Sequence, residues 1–152
     1  LKQAAAELER ARRASVPLSL IALDIDNYDN FNDVYGTEIA RDILNVVAQT
    51  IREKSRPYDP IGRWIGTEFI ILVSGVIGAD AEKIADRIMA GVRGAHIEVQ
   101  NDAPLNIKMS AGIASVARIS ASTEVELLIE QSRQAMARAK EAGGNQVFLA
   151  YI

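Results

Sequence analysis

The 152-residue sequence contains no cysteine, so disulfides, thiolate metal centres and cysteine nucleophiles are excluded. It holds a single histidine, His96, which lies among weakly alternating residues and reads as structural or surface; no Ser-His-Asp arrangement can be argued. No apolar run approaches the ~20 residues that span a bilayer. The first residues are polar and helix-forming, unlike a signal peptide. Positive charge is not in excess. Against 20 Asp and Glu stand 17 Lys and Arg, and a net charge of -3 argues against a surface built for nucleic acid. Walker-type and dinucleotide-binding glycine loops are absent. These absences fit a cytoplasmic domain. The chain opens on Leu1 rather than Met, as expected of an N-terminally truncated piece of a larger protein, whose own membrane anchoring is left open.

What is present is an ordinary globular balance, 49% hydrophobic and 24% charged, in a length that suits one domain with a sizeable core. Residues 1–14 are rich in Ala, Glu and Arg, with a thin stripe of Ala4, Leu8 and Ala11. A linker helix from an upstream domain and a packing helix fit equally well. After Pro17, the run Leu18–Leu23 reads as a buried strand leading into Asp24-Ile25-Asp26. Tyr28, Phe31 and Val34 sit at helical spacing up to Gly36. Thr37–Lys54 has the pattern of an amphipathic helix. A further helix is expected from an N-cap at Asp80 through Ala90. His96–Gln100 alternates weakly, like a strand, and Asn101–Pro104 reads as a turn. A longer strand follows over Leu105–Val116. Thr123–Glu126 has the spacing of a capping box. The helix it opens carries Leu127, Leu128, Ala135, Met136 and Ala139, and Gly143-Gly144 stops it. Val147–Ile152 closes the chain as a strand. Only some strands are separated by helices, which favours an α+β fold with a largely antiparallel sheet and helices packed on it.

The rest of the chain is arranged around Arg56–Phe69. Apolar runs flank Gly66-Thr67, a hairpin with a type II′ turn, because glycine takes φ > 0 at no steric cost. Glu68 follows the turn, and Arg56 and Asp59 stand just upstream. The chemistry available is that of carboxylates: Asp24, Asp26, Asp29, Asp33 and Glu68. Hard oxygen ligands suit Mg²⁺, which often needs only one or two carboxylates plus substrate phosphates. By spacing alone, a solvated acidic loop and an ordinary tight hairpin fit as well.

The order of these pieces resembles the GGDEF domain of bacterial diguanylate cyclases. The matching pieces are Asp24-Ile25-Asp26, Asn32-Asp33-Val34-Tyr35-Gly36, Arg56-Pro57-Tyr58-Asp59 and Arg63-Trp64-Ile65-Gly66-Thr67-Glu68-Phe69. Downstream, Ser110-Ala111-Gly112-Ile113-Ala114 and Ala139-Lys140-Glu141-Ala142-Gly143-Gly144-Asn145 resemble the family's later motifs. The family's usual Leu-Thr-Gly-Leu-x-Asn-Arg opening is missing. The resemblance implies a palm-like fold, of the ferredoxin or adenylate-cyclase kind, in which two GTP-loaded domains meet and form cyclic di-GMP. It implies metal at Asp24 and at the Ile25 carbonyl, guanine at Asn32 and phosphate at Lys140.

The active-site end departs from the family pattern. Gly-Gly-Asp-Glu-Phe is here Ile65-Gly66-Thr67-Glu68-Phe69, so Thr67 replaces a metal-binding carboxylate with a hydroxyl, and only Glu68 remains acidic. Asp29 stands for a Lys, Thr37 for a His, Arg41 for an Asp and Gly144 for a phosphate-contacting Arg. The family's inhibitory product site is matched at Arg56 and Asp59, with Arg87 where a second Arg is usual. The leading expectation is a degenerate, non-catalytic module that binds cyclic di-GMP at Arg56, Asp59 and Arg87 or regulates an attached sensor or phosphodiesterase domain. A weakly active cyclase, with Asp24 and Glu68 holding Mg²⁺, and a GTP-binding allosteric or homodimerising module are the alternatives.

Overall fold

The structure is a computed structural model that describes residues 2–100 and 102–152; Leu1 and the first residue of the expected Asn101–Pro104 turn lie outside the described residues. In chain order the elements are α1 (Lys2–Ala14), β1 (Leu18–Ile25), α2 (Tyr28–Tyr35), α3 (Thr37–Lys54), β2 (Ile61–Arg63), β3 (Glu68–Ser74), α4 (Ala79–Gly94), β4 (Met109–Val116), α5 (Val125–Glu141) and β5 (Val147–Tyr151). The strands form one sheet in the order β2-β3-β1-β4-β5. Every pairing is antiparallel except β4 with β5, as the α+β reading expects.

β1 is the central strand, and it is buried on both faces because its two alternating sets of side chains meet different helices. Ile21, Leu23 and Ile25 pack with Ile43, Val47 and Ile51 of α3 and Ile88 of α4. Leu18 and Leu20 pack on the other face with Leu8 of α1, Leu72 of β3 and Leu128 of α5. Burying each such side chain contributes about 1.5–3 kcal/mol. The stripe Ala4, Leu8 and Ala11 is buried in this second cluster, so α1 is a packing helix in this structure. Among the described residues no helix is long and apolar enough to cross a membrane.

Several local expectations are corrected. α4 is capped by Gly78 (φ 58°) rather than Asp80, which lies in its first turn, and it runs through Gly91 to Gly94. The capping box does not form. Glu124 is the N-cap of α5 and makes no side-chain cap bond, while the Thr123 hydroxyl accepts the Ser120 backbone N–H at 3.0 Å. Leu127, expected on the packed face of α5, is 37% exposed. His96–Gln100 forms no strand; Ile97 makes one isolated bridge to Leu105, and β4 begins only at Met109. Buried Ile97 and half-buried Val99, between exposed neighbours, mimic strand alternation there without a partner strand to complete it.

Candidate functional site

The register of the sheet assembles the site. At the C-terminal end of β1, Asp24 lies opposite Glu68 on β3 and opposite Ser110 on β4. The Asp-x-Asp segment and the hairpin signature are therefore neighbours by strand pairing. The hairpin turns over Ile65–Glu68, closed by the Glu68 N–H donating to the Ile65 carbonyl at 2.8 Å. Gly66 has φ 53° and Thr67 is not in the left-handed region, the sign pattern of a type II′ turn. β2 is shorter than the sequence implies, ending at Arg63. Ile65 is exposed at the tip.

Each carboxylate here has internal partners. The Thr67 hydroxyl donates to Asp24 Oδ1, and Lys140 Nζ lies 2.9 Å from Asp24 Oδ2. Asp26 accepts the Ser110 hydroxyl at 2.7 Å and the Asn145 backbone N–H at 2.8 Å. Glu68 is gripped by a guanidinium fork, with Arg133 Nε and Nη2 donating at 3.1 and 2.9 Å. Asp24, Ile25, Tyr28, Asp29, Thr67 and Lys140 line a cavity of about 330 Å³. Glu68 lines a larger one, of about 560 Å³, with Asp24 and Lys140 again and with Trp64, Ile129 and Arg133. Asn32 is exposed on α2 and is not part of either lining.

This donor set does not fit Mg²⁺. Asp24 and Glu68 are each committed to a cation, and the third acidic position is a hydroxyl that itself donates to Asp24. Among the described residues no group of three or more His, Asp or Glu side chains is placed to hold a metal ion. Lys140, expected to meet phosphate, is held on Asp24. Asp29 places a negative charge in the same cavity. At Gly144 (φ 75°) an added Cβ would come 2.8 Å from Asp26 Oδ2, so a larger residue there requires the Asp26 carboxylate to shift.

A second cluster lies in the loop between α3 and β2. Asp59 is buried, its side chain 1% exposed, and both oxygens are taken by Arg56: Nε at 3.0 and 2.9 Å and Nη2 at 2.8 Å. Arg56 Nη2 also donates to the Ser74 carbonyl at 3.0 Å, and its guanidinium lies 4.8 Å from the ring centre of Tyr58, which is 67% exposed. The hydrogen bonds that Arg56 donates to Asp59 raise the pKa of Arg56 above its ordinary value, outweighing the opposing effect of burial. Arg87 of α4 donates Nε–H to the Lys54 carbonyl at 3.0 Å, which brings it to the end of α3, two residues before Arg56.

A model of the family described as diguanylate cyclase, GGDEF domain, matches residues 1–146. The chain belongs to the GGDEF family. Among relatives of this GGDEF domain is the diguanylate cyclase DosC of Escherichia coli (strain K12), 29% identical over 143 residues that cover 94% of this chain and 30% of DosC. The domain thus spans less than a third of that relative's length. The diguanylate cyclase SiaD of Pseudomonas aeruginosa, solved with its activator SiaC, superposes with a TM-score of 0.90 at 25% identity, covering 99% of this chain and 56% of SiaD. The active GGEEF domain of a diguanylate cyclase from Vibrio cholerae gives 0.84 at 26% identity, covering 97% and 94%. The palm-like architecture expected from the resemblance is therefore the fold of this domain, and its family is that of cyclic di-GMP signalling.

Sequence reasoning missed Arg133, Tyr58 and the Asn145 backbone N–H. Arg133 carried a signal: it is seven residues before Lys140, two turns up the same face of α5.

Proposed function

We propose that this GGDEF domain binds cyclic di-GMP rather than making it, and passes the bound state to an attached domain. The observation that carries this reading is the Arg56 cluster. A buried carboxylate fixes the guanidinium, an exposed aromatic ring lies beside it, and Arg87 reaches the same corner. A fixed guanidinium fork is suited to phosphate or to the Hoogsteen edge of guanine, and a flat exposed ring is suited to stacking on a base. Asp59 anchors Arg56 instead of meeting the ligand, because its carboxylate is buried and already bonded. SiaD, solved with an activator, supports a regulatory exchange with a protein partner.

Titration calorimetry with cyclic di-GMP tests the proposal. Heat of binding is expected with the wild type, lost in Arg56→Ala and weakened in Arg87→Ala. A wild type that gives no heat, or an Arg56→Ala variant that binds as well, defeats it. The cavity bordered by Asp24, Ile25 and Lys140 favours a second reading, GTP binding with little or no cyclisation. GTP binding that is weakened in Asn32→Ala, without product, would support that reading; cyclic di-GMP formed from GTP and Mg²⁺ would instead make the domain a weak cyclase.

A further inference from the structure

Asp24 and Glu68 are directly opposed across β1 and β3, so their side chains emerge on the same face of the sheet. Like charges at directly opposed positions destabilise a sheet unless something lies between them. Here α5 lies over this face, and two of its side chains reach down to the pair. Arg133 takes both oxygens of Glu68, and Lys140 takes Asp24 Oδ2. The remaining oxygen, Asp24 Oδ1, is taken by the Thr67 hydroxyl. Each of the four oxygens of Asp24 and Glu68 has a partner, and Lys140 Nζ also lies 3.8 Å from Asp26 Oδ1. The side chains of Asp24 and Glu68 are 16% and 12% exposed, so these interactions are only weakly screened by solvent.

We propose that Arg133 and Lys140 supply the positive charge that a metal ion would otherwise bring, and that the signature end of this domain is closed without metal. Mg²⁺ demands near-octahedral oxygen coordination and gives up its water reluctantly. To enter, it has to displace a guanidinium fork and an ammonium, then tolerate both beside it. Arg133 is the positioning residue of this arrangement: it acts on Glu68 and so sets whether the opposed carboxylates are available. The inference rests on the non-catalytic half of the proposed function and is independent of the Arg56 cluster.

Mn²⁺ alone is the probe, with free Mn²⁺ followed by electron paramagnetic resonance and thermal unfolding recorded on the same samples. The wild type is expected to take up no Mn²⁺ at millimolar concentration and to show no shift in unfolding midpoint. Arg133→Gln, which leaves Glu68 without its cation, is expected to bind Mn²⁺ at least tenfold more tightly than the wild type. Combining it with Thr67→Asp, which restores the third carboxylate, is expected to add a rise of several degrees in midpoint on adding Mn²⁺. Arg133→Lys keeps the charge and is expected to remain indifferent to metal. Stoichiometric Mn²⁺ uptake by the wild type overturns the proposal, and that measurement needs no variant to fold. An Arg133→Gln variant that is folded by circular dichroism yet gains no Mn²⁺ affinity overturns it too, as does an Arg133→Lys variant that behaves like Arg133→Gln. Cyclic di-GMP is absent from every sample, so failure here leaves the binding proposal standing.

Discussion

Arg133 and Glu68, 65 residues apart in sequence, meet through two parallel hydrogen bonds of 3.1 and 2.9 Å. The pair is asymmetric, since the Arg133 side chain is 39% exposed and that of Glu68 only 12%. Removing the arginine strands a shielded carboxylate beside Asp24, whereas removing the carboxylate leaves a guanidinium that water can solvate. Arg133→Ala is expected to lower stability by about 2 kcal/mol, and Glu68→Gln by about 1 kcal/mol or less. Urea denaturation of both variants checks the order; equal losses, or the reverse order, would contradict it.

Arg56 and Asp59 make the same contrast more strongly, because the Asp59 side chain is 1% exposed. Arg56→Ala leaves a buried charge whose remaining contact is the Arg56 backbone N–H at 3.3 Å. A loss of roughly 3 kcal/mol is expected. This loss confounds binding studies of that variant, so Arg87→Ala matters more as a binding probe. Arg87 is exposed and bonds one carbonyl, so its removal is expected to weaken cyclic di-GMP at least tenfold, about 1.4 kcal/mol, with stability changed by about 1 kcal/mol or less. Calorimetry and thermal unfolding on the same variant separate the two effects.

Gly112 shows why the Ser-x-Gly-Ile-Ala strand needs its glycine. A Cβ at this position would lie 2.0 Å from the Ser132 carbonyl oxygen and 2.2 Å from the Met136 nitrogen, both backbone atoms of α5. β4 and α5 touch through that gap, and backbone cannot swing aside as a flexible side chain does. Gly112→Ala is expected to cost about 3 kcal/mol or more, or to prevent folding. Thermal unfolding or soluble yield reads the effect; near-wild-type stability would contradict this close approach of β4 to α5.

Trp64 is the single tryptophan, and its indole N–H is buried with no hydrogen-bond partner among the described residues. Its ring packs with the cluster that contains Leu8 and Ile129. Trp64→Phe gives up no hydrogen bond, so a loss of about 1 kcal/mol or less is expected, against about 3 kcal/mol for Trp64→Ala, which opens a cavity. Chemical denaturation followed by circular dichroism distinguishes them.

The parts of the fold that could be read from sequence were those set by local periodicity or ordered motifs. Leu18–Leu23 announced the central strand because both its faces are buried, and Thr37–Lys54 kept helical spacing throughout. Gly66 marked the hairpin turn because a positive φ there needs glycine. Ends and caps were less legible. Thr123 had the spacing of a cap but bonded back to Ser120, and Gly78 displaced Asp80 because a sharp turn (φ 58°) precedes α4. Ile97 and Leu105 met only as a single bridge. At the site, the motifs pointed to Asp24, Ile25, Glu68 and Lys140, but not to the ion pairs that Asp24, Glu68 and Lys140 make. Those pairs depend on register and on how α5 lies over the sheet. Asp59 read as a ligand acceptor from its motif, and burial makes it the anchor of Arg56.

Binding of cyclic di-GMP without its synthesis is the core of the proposed function. Its most direct test is a parallel titration of one wild-type preparation with cyclic di-GMP and with GTP plus Mg²⁺, the GTP sample then being analysed by chromatography for product. Saturable binding of cyclic di-GMP with no product from GTP is the predicted result. Cyclic di-GMP accumulating from GTP, or no binding of cyclic di-GMP, would contradict it.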